Sequence, residues 1–182
     1  MDGNVNDAPH RLVDVTLRKP EQRDAADLLR LKNDPDVMSM LGGFGTGYTS
    51  ATIERWIDRL ASASDDLVWV IVDEQDDVLG HVGLYQIDHR VRLAELGILV
   101  GRSAQGKGVG MTATSMAVEY GFSELNLNRI ELWVLRTNPI ARQMYEKLGF
   151  VHEGTRREAQ YRGGVYLDLD LMGLLRADWQ GC

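Results

Sequence analysis

Cysteine is almost absent: the one thiol in 182 residues is Cys182, the last position. A lone thiol cannot close an internal disulfide, so a disulfide-stapled scaffold is excluded and a reducing, cytoplasmic setting is the simple expectation. Long apolar runs are also missing, and none is sufficient to span a bilayer, so no membrane partner is expected. Residues 1–7 are polar and acidic, unlike a signal peptide. Positive charge is in deficit, with 20 Lys and Arg against 27 Asp and Glu and a formal net charge of −7. That balance argues against a nucleic-acid binder, which needs basic surface to neutralise phosphate. It favours a cationic small substrate, although solubility accounts for most of the charge. His10, His81, His89 and His152 are scattered without metal-ligand spacing, so no metal is expected.

What is present is ordinary globular material, 44% hydrophobic and 26% charged, in a length that suits one domain. Residues 1–10 read as a flexible leader, and 11–182 as a single domain. Val13, Val15 and Leu17 alternate as a first strand that stops before Pro20. Ala25, Leu28 and Leu29 mark a short helix ending near Asp34-Pro35. Gly42, Gly43, Gly45 and Gly47 make a flexible loop. Thr49 or Ser50 then caps a helix whose Ile53, Trp56, Ile57 and Leu60 form one stripe.

Residues 67–72 are continuously apolar, as in a central strand buried on both faces. A charged turn at 73–77 leads to a hairpin partner at 78–85. Leu93 to Val100 is a fourth strand, and 130–135 a fifth. Between them Ala113, Met116, Ala117 and Tyr120 mark a helix. Ala141, Tyr145 and Leu148 mark a further helix that stops at Gly149. Val165, Leu167, Leu169 and Leu171 alternate with Tyr166, Asp168, Asp170 and Met172 as a last strand. The pattern is a mixed α/β domain, antiparallel early and strand-helix-strand late.

Gln105-Gly106-Lys107-Gly108-Val109-Gly110 joins a strand to a helix. Alternate glycines let a ligand approach the backbone, and successive amides with a helix N-terminus suit an anionic phosphate. Two phosphate motifs nearly fit and fail. Gly101 to Lys107 has Walker A spacing, but Gly108 replaces the Ser or Thr that binds magnesium. The dinucleotide fingerprint needs a glycine where Met111 stands. On its residues alone, the loop is as compatible with a bare connector as with a ligand site.

The spacing of Gln105, Gly108 and Gly110 after Ile98-Leu99-Val100 resembles the coenzyme A pyrophosphate loop of the GNAT N-acetyltransferase superfamily. Residues 138–151 resemble the family's Asn-x-x-Ala-x-x-x-Tyr-x-x-x-Gly-Phe segment through Asn138, Ala141, Tyr145, Gly149 and Phe150. Arg18 and Asp34-Pro35-Asp36-Val37 are similar to the ribosomal-protein-type (RimJ/RimL-like) branch. The resemblance implies a mixed, mostly antiparallel twisted sheet of about seven strands flanked by helices. Strands four and five would splay around acetyl-CoA. Backbone groups of Ile98, Leu99 and Val100 would pair with pantetheine. Amides of Gln105, Gly106, Lys107, Gly108, Val109, Gly110 and Met111 would hold the diphosphate. Asn138 would bond the pantetheine region beside Ala141. Acetyl-CoA is then the donor and an amine the acceptor.

Transfer to a lysine-like amine at neutral pH needs deprotonation that costs about 4–5 kcal/mol, against about 1 kcal/mol for an α-amine. The family resemblance makes Tyr145 the acid or hydrogen-bond donor to the thiolate; on its own helix it fits the core stripe as well. Glu95, a carboxylate in an otherwise apolar strand, is the base candidate, with a solvated or salt-bridged glutamate as the alternative. His81 on the hairpin strand is either directed at the cleft or a satisfied structural histidine. Asp168 and Asp170 are either solvated or line an amine pocket. The four tryptophans read as core, with Trp56 a possible acceptor contact. The acceptor candidates are a protein N-terminus, a polyamine, an amino-sugar or an amine antibiotic. A non-catalytic acyl-CoA-binding or partner-binding domain is the competing reading. A homodimer through the C-terminal strands is compatible with the sequence.

Overall fold

The computed structural model describes residues 13–41 and 47–181. The expected leader, His10, the glycines at 42, 43 and 45, and Cys182 lie outside the described residues.

Seven strands form one sheet, and helices cover both of its faces. In chain order the elements are β1 (Thr16–Arg18), α1 (Ala25–Asn33), α2 (Pro35–Ser39), α3 (Ser50–Ser62), β2 (Leu67–Val72), β3 (Val78–Asp88), β4 (Leu93–Val100), α4 (Val109–Ser123), β5 (Arg129–Leu135), α5 (Pro139–Lys147), β6 (Val151–Arg162) and β7 (Val165–Leu175). The sheet order is β1-β2-β3-β4-β5-β7-β6. Only the β4–β5 pair is parallel, so the expected mixed, mostly antiparallel sheet is what forms.

The continuous apolar run of β2 is buried on both faces, as its sequence predicts. Trp69 and Ile71 join a core with Ala113, Ala117 and Val118 of α4. Val70 and Val72 join a second core with Leu28 of α1 and Ile53 of α3. Thr49 caps α3, its hydroxyl accepting from the Thr52 amide at 3.2 Å.

Three elements differ from the sequence expectations. The first strand covers only Thr16–Arg18, because Thr16 already pairs with Val72 at the end of β2. Val13 and Val15 have no strand beyond that point and instead pack against the core. α1 ends at Asn33, before Asp34-Pro35 as expected, but a short second helix that the sequence pattern does not reveal follows at once. Asp34 leaves helical geometry, and its carboxylate accepts from the Asp36 and Val37 amides, starting α2 with proline at its first turn. β6 is a twelve-residue strand that periodicity does not reveal. It lies at the sheet edge, its residues are mostly exposed, and its sequence VHEGTRREAQYR carries no apolar alternation.

β3 and β4 run close together behind the later cleft. A Cβ at Gly80 would lie 2.2 Å from the Leu99 carbonyl oxygen and 3.1 Å from the Val100 Cα. Both neighbours are backbone, so neither can turn away. Gly80→Ala should therefore cost about 2–3 kcal/mol by forcing the strands apart. The measurement is the urea midpoint at unchanged slope; a midpoint equal to wild type would refute the account.

Candidate active site

The parallel ladder between β4 and β5 is short. Leu93, Ala94 and Glu95 pair with Arg129, Ile130 and Glu131, and there the pairing stops. Beyond it β4 stays tied to β3 through Val100, and β5 stays tied to β7 through Leu135. The strands therefore part without either coming loose. Between them lies a largely apolar cleft of about 420 Å³. Its walls include Ile98 and Val100 from β4, Val134 from β5, and Ala141, Met144 and Tyr145 from α5.

The glycine loop closes one end. A 3-10 turn at Arg102–Ala104 follows β4. Gly106 and Gly108 then take φ of +72° and +87°, left-handed values that disfavour a side chain. These two turns aim the loop into α4, with Gly108 as its N-cap. The Gln105 side chain donates to the Val100 carbonyl at 2.9 Å and braces the loop against the strand. Its own amide donates to the Arg102 carbonyl at 3.3 Å. Gly106 to Met111 are different: their amides donate to no acceptor among the described residues. That run of unused donors at a helix N-terminus is an anion nest.

Gln105, Gly106, Gly108, Gly110 and Met111 line the cleft, as do Asn138, Ala141 and Tyr145. Lys107 is exposed outside it. The side chains of Leu99 and Val109 point into the two cores, so only their backbones remain for a ligand.

Asn138 stands at the cleft, but its side chain is already engaged. It caps α5 by accepting from the Ala141 amide at 3.1 Å, and its amino group donates to the Met40 carbonyl at 3.2 Å. Tyr145 is 7% exposed, stacked edge-on to Phe150 at 5.7 Å. Its hydroxyl has no hydrogen-bond partner among the described residues, and burial pushes the phenol above its ordinary value.

Glu95 sits one residue before the cleft lining, where the strands begin to part. It is opposite Tyr85 on β3 and Glu131 on β5. The Tyr85 ring packs over Gly83 and Gly97, where side chains would meet it at 2.8 and 3.1 Å. Glu131 and Glu153 share the guanidinium of Arg129, at 2.9 Å from its Nε and 2.7 Å from its Nη1. Glu95 has no ion-pair partner among the described residues. Burial, and then the Glu131 carboxylate, push its carboxyl above the ordinary value.

His81 does not line the cleft. It is buried against Trp56, ring centroids 5.4 Å apart, and neither ring nitrogen has a partner among the described residues. Burial and the Lys32 charge push it well below its ordinary value, so it stays neutral. Trp56 also carries Lys32 over its ring at 4.5 Å, and burial pushes that ammonium down to about 8. Neither aspartate of β7 lines the cleft or is merely solvated. Asp168 accepts from the Glu158 amide and lies 3.8 Å from Arg136. Asp170 is buried beneath α5 in a network with Arg142 and Thr155.

Sequence reasoning missed the α2 wall, Val37, Met40 and Leu41. It also read Trp133 as core; the ring lines the cleft under the Arg156 guanidinium, 5.2 Å from its centroid. Its position two residues after Glu131, on the same face of β5, was the available signal. Among the described residues no group of three or more His, Cys, Asp or Glu is placed to hold a metal. No helix there is long and apolar enough to cross a membrane.

The Acetyltransferase (GNAT) domain family matches residues 14–151. The chain is 32% identical to an N-acetyltransferase, p20, of Bacillus licheniformis over 92% of this chain and 96% of that one. It is likewise 32% identical to a spermidine N(1)-acetyltransferase of Vibrio cholerae over 91% and 95%. A crystal structure of the Vibrio cholerae spermidine N-acetyltransferase, in complex with CoA and spermine, superposes with a TM-score of 0.85 at 31% identity, covering 90% of this chain and 96% of that one. The chain belongs to the GNAT acetyltransferase family. It is an N-acetyltransferase that takes its acetyl group from acetyl-CoA.

Asn138 ties α5 to α2 while capping α5. Asn138→Ala should cost about 1 kcal/mol through the lost cap alone. Chemical denaturation checks this, and no loss of stability would show the cap to be redundant.

Proposed function

We propose that the acceptor is a polyamine and that one of its primary amines reaches the cleft beside Glu95. The carrying observation is the carboxylate set where β4 and β5 part. Glu131 and Glu153 share one guanidinium, Arg129, and Glu95 lies opposite Glu131 with no cation of its own among the described residues. Such a set favours an acceptor with more than one ammonium group. Likeness to a protein known as a spermidine N(1)-acetyltransferase supports the same class.

On this reading the amides of Gly106 to Met111 hold the diphosphate, with Gln105 bracing the loop through its side chain. The open edge of Ile98, Leu99 and Val100 pairs with the pantetheine amides like an added strand. Asn138 and Ala141 shape the pantetheine wall. The amine nitrogen attacks the thioester carbonyl carbon, the C–S bond breaks, and the proton lost by the attacking nitrogen passes through water to the departing thiolate, giving the N-acetyl amine and the coenzyme A thiol. Glu95 removes a proton from the incoming ammonium, directly or through one water. Its raised proton affinity suits that task, since an amine with pKa near 10.4 needs about 4–5 kcal/mol of deprotonation at neutral pH. Tyr145 stays a neutral phenol, because burial opposes its ionisation. Full transfer of its proton to a thiolate with pKa near 8.5 is uphill. Its role is therefore hydrogen-bond donation to the sulfur as charge develops there.

The test is thiol release from acetyl-CoA with spermidine, a peptide bearing a free α-amine, an amino-sugar and free lysine. Spermidine should give the highest kcat/KM, by about 10-fold or more. Tyr145→Phe should lower kcat with spermidine about 100-fold. A preference for the peptide would overturn the polyamine assignment, and an undiminished Tyr145→Phe would remove that residue's role.

A pH profile tests Glu95 separately. The Glu131 charge opposes ionisation of Glu95, so Glu131→Gln lets Glu95 lose its proton at lower pH. The acid limb of kcat/KM should move to lower pH in that variant. An unmoved or upward-shifted limb would rule out Glu95 as the titrating base.

A further inference from the structure

The cleft depends on α5, and α5 is poorly anchored by apolar contacts. It is nine residues long, and Tyr145 is its single buried residue. Ile140 is 77% exposed. Yet Ile140, Ala141, Met144 and Tyr145 all line the cleft. A short helix held by one buried ring and the partly buried Ala141 and Met144 can roll about its own axis, and a roll moves the Tyr145 hydroxyl relative to the sulfur it serves.

Asn138 ties the N-terminal end of α5 to the Met40 carbonyl, and within the helix a second polar contact, nearer Tyr145, opposes that roll. Arg142 lies three residues before Tyr145, so the two side chains are neighbours on the helix surface. Its Nη1 donates to Asp170 Oδ2 at 3.0 Å. The Asp170 side chain is 1% exposed. Its other oxygen accepts from the Thr155 hydroxyl at 2.6 Å and lies 3.4 Å from His152 Nε2. The Asp170 backbone is fixed between Val134 of β5 and Thr155 of β6. The contact thus joins the helix to three strands at a point that cannot shift. Burial pushes the Asp170 carboxyl upward, but the Thr155 bond and the His152, Arg142 and Arg136 charges bring it below its ordinary value. It is therefore an anion at neutral pH.

We infer that Asp170 is a positioning residue for acetyl transfer: through Arg142 it fixes the rotation of α5 and so the place of the Tyr145 hydroxyl in the cleft. This rests on the role given to Tyr145 above. A purely structural role would lower stability and activity without regard to that hydroxyl.

The experiment is a double-mutant cycle of wild type, Asp170→Asn, Tyr145→Phe and the double variant. The readouts are kcat with saturating spermidine, KM for acetyl-CoA, and Tm. If wild type does not turn over spermidine, the cycle uses the panel amine that it does turn over. Asp170→Asn should lower kcat between about 10- and 100-fold, the scale of a misplacement near 1 Å. KM for acetyl-CoA should stay within about twofold, because the anion nest is untouched. In the Tyr145→Phe background the same substitution should change kcat by less than about twofold. Arg142→Gln, at a half-exposed position, repeats the test if Asp170→Asn does not fold. An equal loss of kcat in both backgrounds overturns the inference and leaves the role of Tyr145 standing. An unchanged kcat in Tyr145→Phe overturns both.

Discussion

The parting of β4 from β5 after three paired residues governs the rest of the molecule. A sheet normally satisfies its backbone groups along the whole strand, and buried unpaired ones are costly. Here Leu96–Val100 and Leu132–Leu135 face each other across a gap while their outer edges stay bonded to β3 and β7. The gap cannot close by sliding, because both strands are held from outside. A ligand with its own donors and acceptors in strand-like array would satisfy both edges. An acyl-pantetheine chain has that character, so on the proposed reading the fold and the donor substrate meet at one discontinuity.

Charge is distributed with the same economy. Most carboxylates near the site have a nearby cation: Glu131 and Glu153 share Arg129, and Asp170 holds Arg142. Glu95 stands apart, half-buried, facing another carboxylate across the last paired rung. A paired glutamate would be a poor proton acceptor, since the partner stabilises its ionised form. Among Glu95, Glu131, Glu153 and Asp170, the carboxylate with no ion-pair partner among the described residues is also the one at the point where the strands separate.

Much of the fold was legible because periodicity and caps reported local facts that tertiary structure respected. The two-sided apolar run of β2, Thr49 before α3 and Gly149 after α5 all describe backbone requirements. The nest was legible for the same reason: Gly106 and Gly108 stand where φ is positive. What stayed hidden depended on partners far away in sequence. β6 carries no alternation because an edge strand meets water along most of its length. Asp170 looks like any outward aspartate on an alternating strand until α5 is laid over it. Asn138 gave no hint that its amino group reaches the Met40 carbonyl, since nothing local in the sequence links positions 98 residues apart.

The short α2 helix shows how such distant ties act together. Its end carbonyls at Met38 and Leu41 accept from Arg162 of β6, its Met40 carbonyl accepts from Asn138, and its Asp36 pairs with Arg102 beside the glycine loop. Three separate segments thus hold one wall of the cleft. The position of that wall is set jointly by β6, the start of α5 and the turn before the glycine loop. A change in any one of these three segments is therefore felt at the cleft wall, although none of them is near it in sequence.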